Sequence, residues 1–172
     1  MNYQIGEVVL YGTEGICTVL GTEEKRFGKE ALMYYVLESK SKGSRIYVPF
    51  SNETLVNRIR KPLFENEMKE LLASIDTIDE LAWIENDRER KTANMACVAN
   101  GSATELLMLM KTIQSRRMEL ESKGKRLYAH DDRSYREARA LLVAEMTASF
   151  GITEEQASIM LFETWEPLGI AE

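Results

Sequence analysis

The stretch Val8–Val19, VVLYGTEGICTV, decides how the first third of the chain is read. Two apolar, β-prone runs flank a short turn with a glycine at each end, Gly12-Thr13-Glu14-Gly15. A phosphate-binding loop would lead from a strand into a helix, so that the helix N-terminal amides face the anion. Here the turn leads into a second β-prone run, and no Gly-Lys-Ser/Thr follows. The spacing predicts a hairpin corner whose glycines supply positive φ.

Outward from that corner, the next runs have the same character. GICTVLGTEEKRF alternates over part of its length. ALMYYVLES is rich in aromatic and β-branched residues, and SRIYVPF forms a further strand. Glycine-containing turns, FGKE and KSKGSR, separate them. Short strands joined by tight turns predict a small antiparallel barrel or rolled sheet. Pro49 lacks an amide hydrogen and should end its strand or lie on an edge.

Near Lys61-Pro62 the period changes from two to that of a helix. FENEMKELLASI places Phe64, Met68, Leu71, Leu72 and Ile75 on one face. Three capping boxes follow: Thr77-x-x-Glu80, Ser102-x-x-Glu105 and Thr153-x-x-Gln156. The first is expected to open a helix that contains Leu81–Ile84 and stops near Asn100-Gly101. The second opens a helix with Leu106, Met110 and Ile113 on one stripe, running to Lys123-Gly124. A polar loop, KGKRLYAH, leads to a helix with Tyr135, Ala138, Leu142 and Met146 on one face and Gly151 at its end. The expected fold is α+β in two domains. Residues 1–62 form a small antiparallel Tudor/SH3-like β-barrel, and residues 63–172 form an all-α helical bundle.

Composition narrows the chemistry. The 172 residues are 44 % hydrophobic and 29 % charged, which suits a folded chain rather than a disordered one. No run reaches the ~18–20 apolar residues of a membrane span, and the N-terminus does not read as a secretory signal. A cytoplasmic protein without a membrane partner is expected. The two cysteines, Cys17 and Cys97, read as buried small hydrophobes. With one histidine, His130, they cannot make a four-ligand zinc site. His130 reads as a surface residue near a helix N-terminus. No nucleophile, paired carboxylates or metal cluster stands out, so no catalytic residue, metal or cofactor is expected, and the chain reads as a non-enzyme. Net charge is −6, which disfavours coating nucleic acid by charge alone. The distribution is uneven: residues 111–139 hold 9 basic and 5 acidic side chains.

QIGEVVLYGTEGICTVLGTEE, followed by YYVL and IYVPF, resembles the polymerase-interacting domain of the CarD/CdnL transcription regulators, also found in transcription-repair coupling factors. Gly6, Val9-Leu10-Tyr11, Gly15, Tyr35-Val36-Leu37 and Val48-Pro49 carry the resemblance, in family order. It extends into ELLMLMKTIQSRRMELESKGKRLYAHDDRSYREARALLVAEM. The resemblance implies a bacterial regulator. Its β-domain would bind the RNA polymerase β subunit, and its helices would contact promoter DNA, where a tryptophan wedge stabilises the open complex. Polymerase contacts carry over to Lys25, Arg26 and Phe27 of EEKRF and to Tyr47; Lys25 and Arg26 also read as a solvated hairpin end. For DNA, Trp83 is the wedge candidate; Arg88, Arg90 and Lys91 follow it as phosphate contacts or, interleaved with Glu85, Asp87 and Glu89, as a solvated face, and Lys111, Arg116, Arg117, Lys123, Lys125 and Arg126 are a second basic set. Trp83 departs from the family pattern, in which the tryptophan falls about one turn later, near Asp87 here. It reads equally as a wedge or as a core plug beside Leu81 and Ile84. Arg116 and Arg117 also suit a helix C-terminus electrostatically. An adaptor that binds polymerase but has lost the wedge is the alternative. A monomer is expected, with strand-edge pairing or exchange of elements between chains as the routes to a dimer.

Overall fold

A computed structural model describes residues 3–27 and 30–165, Phe27 by its backbone alone. The chain divides into two compact units, Met1–Pro62 and Leu63–Glu172.

The first unit is a five-stranded antiparallel sheet. β1 (Val8–Tyr11), β2 (Ile16–Phe27), β3 (Glu30–Ser39), β4 (Arg45–Pro49) and β5 (Ile59–Arg60) lie in the order β4-β3-β2-β1-β5. The Gly12–Gly15 turn is a hairpin corner. A single 3-10 turn, Gly12–Glu14, joins β1 to β2, with Leu10 opposite Ile16. Gly12 and Gly15 have φ of 47° and 65° there, the left-handed region that glycine enters without a Cβ penalty. A bulge between Val19 and Gly21 shifts the β2–β3 register, so side-chain parity changes along β2. Pro49 ends β4 at the sheet edge, where its missing amide costs no ladder bond. Val9, Cys17, Val19, Leu37, Val48 and Ile59 form the core, with Leu55 and Val56 of α1 (Glu53–Val56) packed against it.

The second unit is helical: α2 (Glu65–Ala73), α3 (Asp87–Asn100), α4 (Ala103–Ser122), α5 (Ala129–Phe150) and α6 (Glu154–Trp165). Its core is continuous through Met68, Leu106, Leu107, Ile113, Leu142 and Leu161. Ser102 and Glu105 close a reciprocal capping box on α4, and Thr153 and Gln156 exchange the same bonds ahead of α6. Gly151 ends α5 at φ 66° in a left-handed cap. Gly101 works differently. Its φ is −68°, and a Cβ there would lie 2.5 Å from the Cys97 carbonyl oxygen. The glycine serves close approach at the α3–α4 joint, not a left-handed turn.

Two expectations are corrected. Phe64 is 73 % exposed and does not join the buried face of Met68, Leu71, Leu72 and Ile75; it precedes α2, and its amide donates to the Glu67 carboxylate at 2.8 Å. Thr77 and Glu80 do not cap a helix. Residues 79–85 are irregular, and α3 starts at Asp87, capped by Asn86, whose Oδ1 accepts from the Arg88 and Glu89 amides at 3.1 Å. Hydroxyls on α4 win the competition. Thr112 Oγ1 accepts from the Leu81 amide at 2.8 Å, and Ser115 Oγ donates to Glu80 at 2.6 Å. These bonds hold the segment extended along α4. Among the described residues no helix is long and apolar enough to cross a membrane.

Candidate functional site

Alternation on β3 separates two neighbouring tyrosines. Tyr35 faces the core, while Tyr34 points to the other side with Leu32 and Val36. Lys25 on β2 pairs with Leu32, and Tyr47 on β4 pairs with Val36, so both lie on Tyr34's face. There the Lys25 ammonium stands 3.2 Å from the centroid of the Tyr47 ring, a cation–π contact. The Tyr34 ring meets Tyr47 edge-on at 6.3 Å. Lys25, Tyr34 and Tyr47 are all partly exposed. They form a compact basic and aromatic patch beside the edge strand β4.

Arg26, one residue on, projects from the opposite face of the strand and pairs with Glu24 at 3.3 Å. The structure thus brings Lys25 and Tyr47 together and leaves Arg26 apart. The Phe27 side chain lies outside the described residues. Tyr34 was missed by the sequence reading. Its signal was the Tyr-Tyr pair itself, since period two must turn one of the two rings away from the core.

In the helical unit the largest correction is Arg90. It does not offer its charge to solvent: the residue is 3 % exposed. Its Nε donates to both Asp131 oxygens at 3.0 and 3.2 Å, and one terminal nitrogen donates to Asp131 at 3.0 Å and Asp87 at 2.8 Å. The other reaches the Ile84 and Glu85 carbonyls at 2.9 and 3.3 Å. Asn94 adds a bond to Asp131 at 3.1 Å. Burial opposes the charge, but the Asp131 and Asp87 carboxylates outweigh it and hold the Arg90 pKa above its ordinary value. His130 is part of the same cluster, 3.3 Å from both Asp87 and Asp131 and largely enclosed, rather than a surface residue.

Trp83 lies on the extended segment before α3, not on a helix. The Arg90 guanidinium sits 4.4 Å from its ring and that of Arg116 sits 5.1 Å away. Trp83 remains partly exposed. Arg90 also lies 5.5 Å from the ring of Tyr128, which is 59 % exposed. Trp83 is therefore neither a simple core plug nor a free wedge. It is a half-exposed ring backed by a buried ion pair.

The other cations sort by partner. Arg116 pairs with Glu119, as does Lys123. Arg117 donates to Gln114 at 2.8 Å and to Asp132 at 2.9 Å. Lys111, also in the basic set, spends its ammonium on the Ile75, Asp76 and Ile78 carbonyls. Arg88, Lys91, Lys125 and Arg126 are exposed and form no ion pair among the described residues. Cys17 is buried as expected while Cys97 is only half-buried, yet desolvation raises both thiols to about 11, so neither is a ready nucleophile. Among the described residues no cluster of His, Cys, Asp and Glu is placed to hold a metal ion.

Residues 3–61 match the family model of the CarD-like/TRCF RID domain. The match covers the whole five-stranded sheet, and with it the Lys25–Tyr34–Tyr47 patch. It is consistent with a CarD-like family member and points to an RNA polymerase-interacting, transcription-related protein. No curated protein matches the chain.

Proposed function

We propose that this protein is a non-enzymatic transcription regulator of the bacterial cytoplasm. Its sheet binds the RNA polymerase β subunit, and its helical unit stabilises the promoter open complex through DNA contacts. The observation that carries the reading is the solvent-facing patch of Lys25, Tyr34 and Tyr47 inside the matched domain. A cation held over an aromatic ring beside an unpaired strand edge supplies directional charge and an apolar anchor together. Edge-strand backbone next to it is available for pairing with a partner strand.

On the DNA side the reading rests on Trp83 with Tyr128, and on Arg88, Lys91, Lys125 and Arg126 as phosphate contacts. Arg90 is removed from that set and given another role, holding Trp83 from behind. Few phosphate contacts suffice when polymerase tethers the protein at the promoter, because tethering raises the local concentration. An apolar ring entering a base step needs rigid support more than surrounding charge.

Binding of the full chain to a β-lobe fragment of its polymerase tests the first half. A Lys25→Glu/Tyr47→Ala variant that stays folded should lose most of the affinity; unchanged affinity refutes the assignment of the patch. The lifetime of a preformed open complex tests the second half. Trp83→Ala should shorten it, and Arg88→Glu/Lys91→Glu should do so in a salt-dependent way.

The second reading, an adaptor that binds polymerase without acting on DNA, is favoured by one set of observations. Arg90, Arg116, Arg117 and Lys123 are all committed to carboxylates of the chain itself. An open-complex lifetime that ignores Trp83→Ala, with polymerase binding intact, selects this reading.

A further inference from the structure

An open-sided pocket of about 320 Å³ lies between α4, α5 and α6. Its floor is apolar, built by Met110 of α4 with Leu161 and Trp165 of α6. Its rim is cationic. Asp132, Arg136 and Arg139 fall on one face of α5 at helical spacing, and Arg117 reaches over from α4. Three guanidiniums thus line the cavity against one carboxylate, in a chain whose net charge is −6.

One cation at this cavity is unspent. Arg139 is half-buried and forms no ion pair among the described residues, whereas Arg117 and Arg136 share Asp132 at 2.9 and 3.2 Å. An aromatic and aliphatic floor with an unpaired cation at the rim forms the pattern of a small-ligand site, and the volume falls within the range of such sites.

We propose that this cavity binds a small organic anion: a compact aromatic or branched apolar body bearing one acidic group. The acid would pair with Arg139, and the body would lie on the Trp165 ring beside Met110 and Leu161. The site is separate from both contact surfaces assigned above and makes the helical unit a receptor for an anionic effector.

The test uses the full chain and two probes with the same hydrocarbon body, 8-anilinonaphthalene-1-sulfonate and the uncharged N-phenyl-1-naphthylamine. The chain has two tryptophans, so its nitrogen–proton spectrum carries two indole signals, assigned by Trp83→Phe. Saturable one-to-one binding of the sulfonate is expected, at least tenfold tighter than that of the neutral probe. The Trp165 indole signal should move on titration while that of Trp83 stays. Arg139→Glu, at a half-exposed site that folding should tolerate, should weaken the sulfonate at least tenfold and leave the neutral probe unaffected. Absence of saturable binding, equal affinity for the two probes, or a stationary Trp165 signal in the wild type overturns the proposal, the last because the probe then sits elsewhere.

Discussion

Asp131→Ala should destabilise the helical unit selectively. Asp131 is fully buried and accepts three hydrogen bonds from Arg90 and one from Asn94. Truncation leaves the Arg90 guanidinium enclosed with Asp87, two carbonyls and the His130 ring nitrogen as its remaining partners. Removing one partner of a buried pair costs about 3–5 kcal/mol, because the remaining charge stays desolvated. At about 4 °C per kcal/mol for a unit of this size, the melting temperature should fall by roughly 12–20 °C. Differential scanning calorimetry of the full chain reads this directly. The helical transition should move and that of the sheet should not, since Arg90, Asn94 and Asp131 all lie beyond Pro62. The control is Asp132→Ala, one residue along. Its bridges to Arg117 and Arg136 are partly exposed, and the loss should stay below about 1 kcal/mol. If the two variants melt together, or Asp131→Ala costs under about 1 kcal/mol, the buried pair does not hold this unit. The tryptophan signal adds a local check: Arg90, 4.4 Å from the Trp83 ring, loses the carboxylate that positions it, so Trp83 emission should shift even at temperatures where the variant stays folded.

Three further outcomes follow from the same coordinates. Gly101→Ala should destabilise the helical unit by about 1–3 kcal/mol through overpacking; the new methyl meets the Cys97 carbonyl oxygen at 2.5 Å, and since the backbone there is not left-handed, a cost near zero would mean that the joint relaxes freely. Ser102→Ala should cost about 1 kcal/mol of thermal stability by removing the α4 cap, and restoring it with Asp should recover most of the loss. Both thiols should resist alkylation at pH 8 in the folded protein. With pKa values raised to about 11, only ~0.1 % is thiolate at that pH; the rate should climb about tenfold per pH unit toward 11, and rapid labelling near neutrality would contradict the burial.

What the sequence disclosed depended on the range of the interactions. The Gly12–Gly15 corner, the Ser102 and Thr153 caps and the Gly151 stop were legible because each is settled within a few residues. The Thr77-x-x-Glu80 box looked the same locally and failed, because Thr112 and Ser115, more than thirty residues away, supply better partners. Arg90 was misplaced for the same reason. Its position among Arg88 and Lys91 suggests a solvated basic run, yet Asp131, 41 residues on, draws it inward. Met95 and Val98 sit close on the same helix, and only Val98 is buried. The Lys25–Tyr47 contact was half visible: both residues were picked out, but their meeting depends on β3 lying between them. The cavity left no periodic trace, because its lining comes from three helices at positions that individually look like core or surface.

The pairing of β1 with β5, Leu10 opposite Arg60 and Tyr11 opposite Ile59, bears on how the protein is made. Every ladder of the sheet lies within the stretch that ends at Arg60, and Tyr3 fastens the start of that stretch to the Ile59 carbonyl at 2.6 Å. A ribosome adding about 5–20 residues per second needs roughly 6–22 s more to reach residue 172. Sheets of this kind fold in milliseconds to seconds, so the first unit has time to close while the second is still being synthesised. The helical unit has no such head start, because α2 packs against α6 and its core waits for the final helix. Premature termination anywhere in the second unit would therefore release a chain whose sheet is whole and whose helices are not.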